Sequence, residues 1–214
     1  MTWLLNLSGQ GPNAVLQATN KTVDAINTVV LKEFPGEELI LASADSAIET
    51  DEAFTYPAEF LNSITPSGFP VHQLRLKTGC PLLLLRNINI RLGLANGTRL
   101  RLLQAGKALR CEILTGTHVG SIVLLPRVTF IPGGDPSDIP FRRRQFPVQL
   151  AFAMTINKSQ GQTLRRAAIY LHDEVFVHGQ LYVATSRVGD PNNIRFSLPY
   201  QRTTTTNIVY QEVL

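Results

Sequence analysis

Apolar residues recur at helical spacing at Val23, Ile26, Val30 and Phe34, and Pro35 with Gly36 closes the run. A helix is therefore expected there, preceded by a short strand at Val15 to Ala18 and a polar turn at Thr19, Asn20 and Lys21, which makes a strand-turn-helix unit of α/β type. From Ser43 to Pro70 the chain is rich in Ser, Thr, Pro and acids and reads as a connecting excursion with little regular structure. The character changes at Leu74. As far as Ile131 short apolar runs such as "PLLLLRNI", "GTRLRLLQ", "LRCEILT" and "GSIVLLPRVTFI" alternate with glycine-bearing turns, the pattern of a small antiparallel barrel. Asn96-Gly97 is a hairpin signal, because both residues tolerate positive φ. After "PFRRRQFP", "VQLAFAMTI" reads as a buried strand, "NKSQGQT" as a turn or helix start and "AAIYL" as a further strand. "HGQLYVATSRV" reads as a helix closed by Gly189, Asp190 and Pro191, and "NIVYQEVL" as a last strand.

At 214 residues, 44% hydrophobic and 17% charged, the chain has the composition of one or two compact domains. Its longest apolar runs fall short of a membrane span, and no basic, apolar leader opens it, so it reads as soluble and intracellular. Cys80 and Cys111 are isolated thiols of the kind usually found buried. The four histidines have no metal-ligand spacing, so neither a disulfide framework nor a zinc site is indicated.

Charge changes this picture, because the formal net of +4 is unevenly spread. Residues 1–74 carry two bases against nine acids, and residues 75–166 carry fifteen bases against three acids. Twelve of those fifteen are Arg, whose planar fork grips phosphate and stacks on bases. Such a block is either a solvated basic face or a surface for a polyanion, and with so few acids among the bases nucleic acid is the leading partner.

Two segments carry candidate chemistry. "NKSQG", following a strand, offers a lysine charge, hydroxyl and amide donors and the flexible Gly161 backbone. At a helix N-terminus this set favours a phosphate; alternatively Ser159 is an ordinary N-cap and Gly161 relaxes a turn. In "YVATSRV", Arg187 falls in the last turn of the expected helix, where it either neutralises C-terminal carbonyls or reaches a ligand.

In this order and spacing, "ATNKTVDAIN", "FPGEELILASADS", "YPAEFLNSITPSGFPVHQLRLKTGCPLLLLRNI", "GLANGTRL", "PFRRRQFPVQLAFAMTINKSQGQT", "VFVHGQLYVATSRV" and the closing "NIVYQEVL" resemble the Pif-type DNA helicases, and within them the helicase part of Helitron transposons. The resemblance runs from about residue 14 to the end. It implies an α/β fold: the second RecA-like lobe of an ATP-dependent motor that steps 5′ to 3′ on single-stranded DNA, with a small Src-homology-like β-barrel inserted in it. Residues 1–74 would form the first part of the lobe with its excursion, 75–144 the basic barrel, and 145–214 the remainder of the lobe. The matching segments imply DNA contacts at Thr19, Asn20, Lys21, Thr155, Asn157, Lys158 and Ser159. Arg142, Arg143 and Arg144 join them as the arginine run of the basic block. Nucleotide contacts are implied at Gln160, Gly161 and Arg187, with Arg187 as the arginine finger. Many relatives have His where this chain has Asn157, and Leu or Ala where it has Thr185.

One departure matters more. None of the five lysines lies in a G-x-x-x-x-G-K-S/T loop, so the chain holds no phosphate cradle of the first lobe. The implied ATP and Mg²⁺ then belong to a complete two-lobed enzyme, and none is expected on this chain alone. Its implied partners are single-stranded DNA and a first lobe in cis or in trans; a monomer without membrane association, nuclear or mitochondrial, is expected. The competing reading is a non-catalytic, transposon-derived remnant that only binds nucleic acid. "GQGPNA" at 9–14 imitates a dinucleotide fingerprint, but Pro12 removes an amide the pyrophosphate needs, and no acid-tipped second strand follows. "NKSQG" is no nucleophile elbow either, since Asn157 stands where that turn needs glycine.

Overall fold

The computed structural model describes residues 13–48, 56–133, 139–199 and 202–211. Strand β1 (Asn13–Gln17) leads into helix α1 (Asn20–Glu33). Then come β2 (Glu38–Ala42), β3 (Ala44–Ala47), the short helix α2 (Ala58–Ser63), β4 (Gln73–Lys77), β5 (Pro81–Leu84), β6 (Arg99–Ala105) and β7 (Leu109–Ile113). The rest comprises β8 (Ile122–Leu125), β9 (Val128–Phe130), β10 (Phe141–Gln145), β11 (Val148–Leu150), β12 (Ala153–Thr155), β13 (Arg166–Tyr170), helix α3 (Gln180–Thr185) and β14 (Ile194–Ser197).

A four-stranded parallel sheet, ordered β12-β1-β13-β14, is the α/β part of the fold. β1 lies inside it, with Val15 opposite both Ala153 and Ala168, and all five of its residues are buried. Ala14 and Leu16 point into one core with Met154, Ile169, Ala184 and Val188, on the α3 side. Val15 points the other way, against Val23 of α1. Helices thus cover both faces, as a parallel sheet requires. The antiparallel strands form a five-stranded sheet, β11-β5-β6-β7-β8, a three-stranded sheet, β3-β10-β9, and the pair β2-β4. Val30 and Leu31 of α1 and Phe34 just beyond it share one core with Leu76, Leu82, Leu100, Cys111 and Phe146, so the helix seals both kinds of sheet.

Three buried polar side chains hold these layers. Asn27 of α1 meets both backbone groups of Ala153: its Oδ1 accepts from the N–H at 2.8 Å and its Nδ2 donates to the carbonyl at 3.1 Å. This satisfies the outer edge of β12, which has no further strand beside it. Lys77 Nζ donates to the carbonyls of Phe34 at 2.6 Å and Lys32 at 3.1 Å, placing a cation on the C-terminus of α1. Arg143 is fully buried. Its Nη2 and Nε hold the Asp45 carboxylate, at 2.7 and 3.1 Å, while Nη1 and Nη2 donate to Ile64, Pro70 and Leu61 carbonyls.

The structure corrects several expectations. Arg143 is no part of an exposed arginine run: β10 alternates, so its neighbours Arg142 and Arg144 face solvent while Arg143 points inward to Asp45. The 43–70 excursion contains β3 and α2, secured by that pair rather than by any local periodicity. Residues Asn20 and Lys21 belong to the first turn of α1. Asn96-Gly97 is not a two-residue hairpin; Gly97 (φ +87°) ends a long loop between β5 and β6, where Thr98 N–H closes a turn on Ala95 O at 3.0 Å. "VQLAFAMTI" divides into β11 and β12, which lie in different sheets. The segment read as a last strand has none over residues 207–210, and β14 lies earlier. "GQGPNA" lies outside the described residues up to Pro12.

The buried pair yields a stability prediction. Arg143→Ala strands the Asp45 carboxylate and should lower unfolding free energy by about 3–5 kcal/mol in urea titrations. Arg142→Ala and Arg144→Ala, on the solvent side, should each stay within about 0.5 kcal/mol of the parent.

Candidate nucleic-acid interface

Because β1 and β12 run parallel with Gln17 beside Thr155, the segments after these two strands emerge at the same sheet edge. Thr19, Asn20 and Lys21 leave β1; Asn157, Lys158 and Ser159 leave β12 as one 3₁₀ turn. The turn does not continue into an α-helix, so no helix dipole assists an anion there, contrary to one expectation; Gly161 at φ +76° turns the chain away. Asn20, Lys21, Asn157, Lys158, Gln160 and Gly161 are exposed.

Two of the candidate hydroxyls are turned to structural use. Ser159 is buried and its Oγ donates to Ile156 O at 2.6 Å. Thr155 is also buried, and its Oγ1 accepts from Lys158 N–H at 3.3 Å. These two shape the turn that presents Asn157 and Lys158; the Ser159 O–H is used within the turn, while Thr155 only accepts there and lines the groove beside Lys158. The Thr19 hydroxyl, too, is occupied, 3.1 Å from Asp173 Oδ2.

Asp173 was missed by sequence reasoning. It lies beyond β13, the other neighbour of β1, and its Oδ2 accepts from Thr22 Oγ1 at 2.7 Å, Gln17 Nε2 at 2.9 Å and Thr19 Oγ1. α1 has no side-chain cap of its own and no acid in its first turn, so Asp173 brings it a favourable negative charge from another segment. The bonds from Thr22 and Thr19 hold the Asp173 carboxyl below its ordinary range. No local signal marks an acid whose partners lie this far along the chain.

Lys158 borders two grooves. One, of about 690 Å³, is lined by Asn20, Asp24, Lys32, Arg75 and Gln149. Lys158 loses water there, which depresses its pKa, and Asp24 partly restores the charged form; burial raises the Asp24 pKa, with Lys158 opposing. The other, of about 960 Å³, runs between Gln160, Gly161 and the β-sheet loops that carry Ile90, Asn96, His118 and Val119. Gln162 Nε2 spans from Lys158 O, at 2.9 Å, to Gly97 O, at 3.2 Å.

Arg187 lies just beyond α3 and not inside its last turn. Its Nε donates to Val183 O at 2.8 Å, Nη2 to Ser186 Oγ at 2.8 Å and Nη1 to Gln162 O at 3.4 Å. The guanidinium thus caps its own helix and also sits against the segment that carries Gln160 and Gly161. It is half-buried, and none of these acceptors is a carboxylate. Among the described residues no group of His, Cys, Asp and Glu could hold a metal, and no helix is long and apolar enough to cross a membrane. Ser43, Asp45 and His72 do cluster, but His72 faces both partners through the same Nδ1, so it cannot relay a proton between them.

The model of the DNA helicase Pif1 2B domain matches residues 59–104. The rat ATP-dependent DNA helicase PIF1 is 34% identical over 170 residues, covering 77% of this chain and 24% of the relative. The human protein of the same name is 34% identical over 172 residues, with the same coverage. Among solved structures, Pif1 helicase of Candida albicans superposes with a TM-score of 0.69 at 21% identity, over 99% of this chain and 52% of that one. Bacteroides Pif1 bound to single-stranded DNA gives 0.63 at 20% identity, over 91% and 44%. The fold is thus the mixed α/β fold of a helicase. By sequence the chain is similar to the Pif-type helicases, and it spans about a quarter of the length of the curated relatives it matches.

Asp173 gives this edge a pH signature. A carboxyl with its folded pKa depressed contributes stability above its ordinary value of 3.8, and loses it as pH falls through the folded value. Asp173→Asn should therefore unfold at lower urea than the parent at neutral pH, with the gap closing below about pH 4. A gap that ignores pH would show that the charge has no part in holding α1.

Proposed function

We propose that this chain is the second RecA-like lobe of a Pif-type, 5′ to 3′ DNA helicase, its antiparallel strands forming a small Src-homology-like barrel inserted in that lobe. The observation that carries the reading is the convergence of Asn20, Lys21, Asn157 and Lys158 at one sheet edge, with Arg187 hydrogen-bonded to the adjoining segment. The two amides and two ammonium groups donate to phosphates of single-stranded DNA and read no sequence. Two Bacteroides neighbours, Pif1 bound to single-stranded DNA and Pif1 in complex with ADP-AlF3 and single-stranded DNA, support that ligand class.

Arg187, with Gln160 and Gly161, faces the nucleotide. Three of its five N–H groups are engaged in the bonds described, which leaves the guanidinium fork able to receive a phosphate oxygen. ATP with Mg²⁺, held by a first lobe in cis or in trans, supplies the phosphoryl chemistry; this chain contributes a positive charge where negative charge develops. Gln162 ties the two functions together, since its side chain holds Lys158 O while its carbonyl receives Arg187. A shift of Arg187 as the nucleotide changes would pull on the turn that presents Asn157 and Lys158. Kinship with Helitron helicases rests on the sequence motifs alone. The remnant reading keeps the DNA edge and drops the motor.

The test is affinity of the purified chain for oligothymidine across a salt series, with and without ATP. Binding should be steep in salt and indifferent to ATP, and Lys158→Ala should flatten the slope by about 0.7. ATP turnover by the chain itself that disappears in Arg187→Ala would overturn the division of labour between lobes.

A further inference from the structure

Asn20, Lys21, Asn157 and Lys158 offer amide and ammonium donors, which hold phosphates but give the bases nothing to rest on. Across β1 from Lys158, at the end of β13, two rings stand together. Tyr170 and His172 lie parallel, their ring centroids 4.1 Å apart and their planes inclined by 5°. Tyr170 stands on the α1 face of the sheet, half-buried against the cluster of Val15, Val23 and Ala168. His172 is the exposed outer layer of this stack: Tyr170 takes one face of the imidazole, and the other is open to solvent.

The stack is held from both sides. Leu171, between the two rings, is buried, and its N–H donates to Ser197 O at 2.8 Å. Asp173, next along, is fixed by Gln17, Thr19 and Thr22 at the start of α1. Ser197, in register with Tyr170 on β14, brings its Oγ to 3.5 Å from His172 Nε2. The ring is therefore preorganised, and little ordering opposes a ligand that settles on it. Its charged surroundings suit an anion's polymer: Glu174 is paired with Arg202, Lys21 lies on the β1 side, and Arg195, in register with Ala168, is exposed on the β14 side. A flat, fixed ring between cations fits an unpaired nucleobase and its phosphates, whereas a duplex keeps its base faces covered. We propose that His172, backed by Tyr170, is a stacking platform for one base of the strand bound at the Lys21 and Lys158 edge. The proposal rests on the reading of that edge as a single-strand track, and it adds a contact made to the base rather than to the phosphate. A free nucleotide carries the same ring chemistry, so the experiment separates the two sources.

The probes are oligothymidine, an abasic sugar-phosphate oligomer of equal length, and ATP, with affinities read by fluorescence anisotropy at pH 8, above the ordinary imidazole range. His172→Ala should weaken oligothymidine binding about 5- to 150-fold, the loss of one stacked base, at an unchanged salt slope, and leave the abasic oligomer's affinity as it was. His172→Phe should restore the parent's affinity, because only the ring is needed. Lys158→Ala should instead flatten the salt slope for both oligomers. Unchanged oligothymidine affinity in His172→Ala, or an equal loss with the abasic oligomer, overturns the platform; the track still stands if Lys158→Ala flattens the slope. ATP affinity that falls in His172→Ala while oligothymidine affinity holds gives the ring to the free nucleotide and also overturns the proposal. A parent chain that binds neither oligomer overturns both the platform and the track.

Discussion

Every candidate contact depends on β1 hydrogen-bonding on both sides, to β12 through Val15 and Ala153 and to β13 through Val15 and Ala168. Parallel strands need long crossovers, and here the first crossover takes up residues 18–152, more than half of the chain: the antiparallel sheets are made between β1 and β12. The consequence is geometric. Three segments distant in sequence, after Gln17, Thr155 and Tyr170, leave the sheet at one edge, and Lys21, Lys158 and Asp173 come with them. Shifting one of these pairings by a residue would turn β1's side chains to the opposite faces and bring the wrong residues to the edge.

Such a long closure is held by polar groups that have no alternative partners. Asn27 closes the open edge of β12, and Lys77 closes the end of α1. Arg143 satisfies the carbonyls of an irregular segment that lacks a regular hydrogen-bonding ladder. Each is expensive to bury unpaired, so each fixes one arrangement of the layers around it. Arg99 works in the same way between the sheets: wholly buried on β6, it donates to Asn13 O at 2.7 Å and Ala151 O at 2.8 Å, and burial lowers its pKa to about 10. The bond to Asn13 joins the antiparallel sheet to the first residue of β1.

Much of this was legible in the sequence. The helical spacing of Val23, Ile26 and Val30 marks α1, and the short apolar runs mark most of the antiparallel strands, because period and turn residues are local signals. The exposed DNA candidates Asn20, Lys21, Asn157 and Lys158 also fall together. What sequence could not give was the facing of "RRR", where strand alternation buries the middle charge against a partner at Asp45, far back in the chain. Nor could it separate β11 from β12, since a continuous apolar run does not reveal that the chain changes sheets at Ala151 and Phe152. Ser159 looks like a ligand donor on paper because a hydroxyl's partner is visible only once the turn is folded.

The central claim is that the sheet edge formed by the ends of β1 and β12 is the single-strand track. Hydrogen–deuterium exchange of the chain with and without oligothymidine tests it most directly. Backbone amides of residues 19–24 and 156–163 should exchange more slowly with DNA present, while those of β14 stay unchanged. Protection that spares both segments and appears elsewhere would contradict the account.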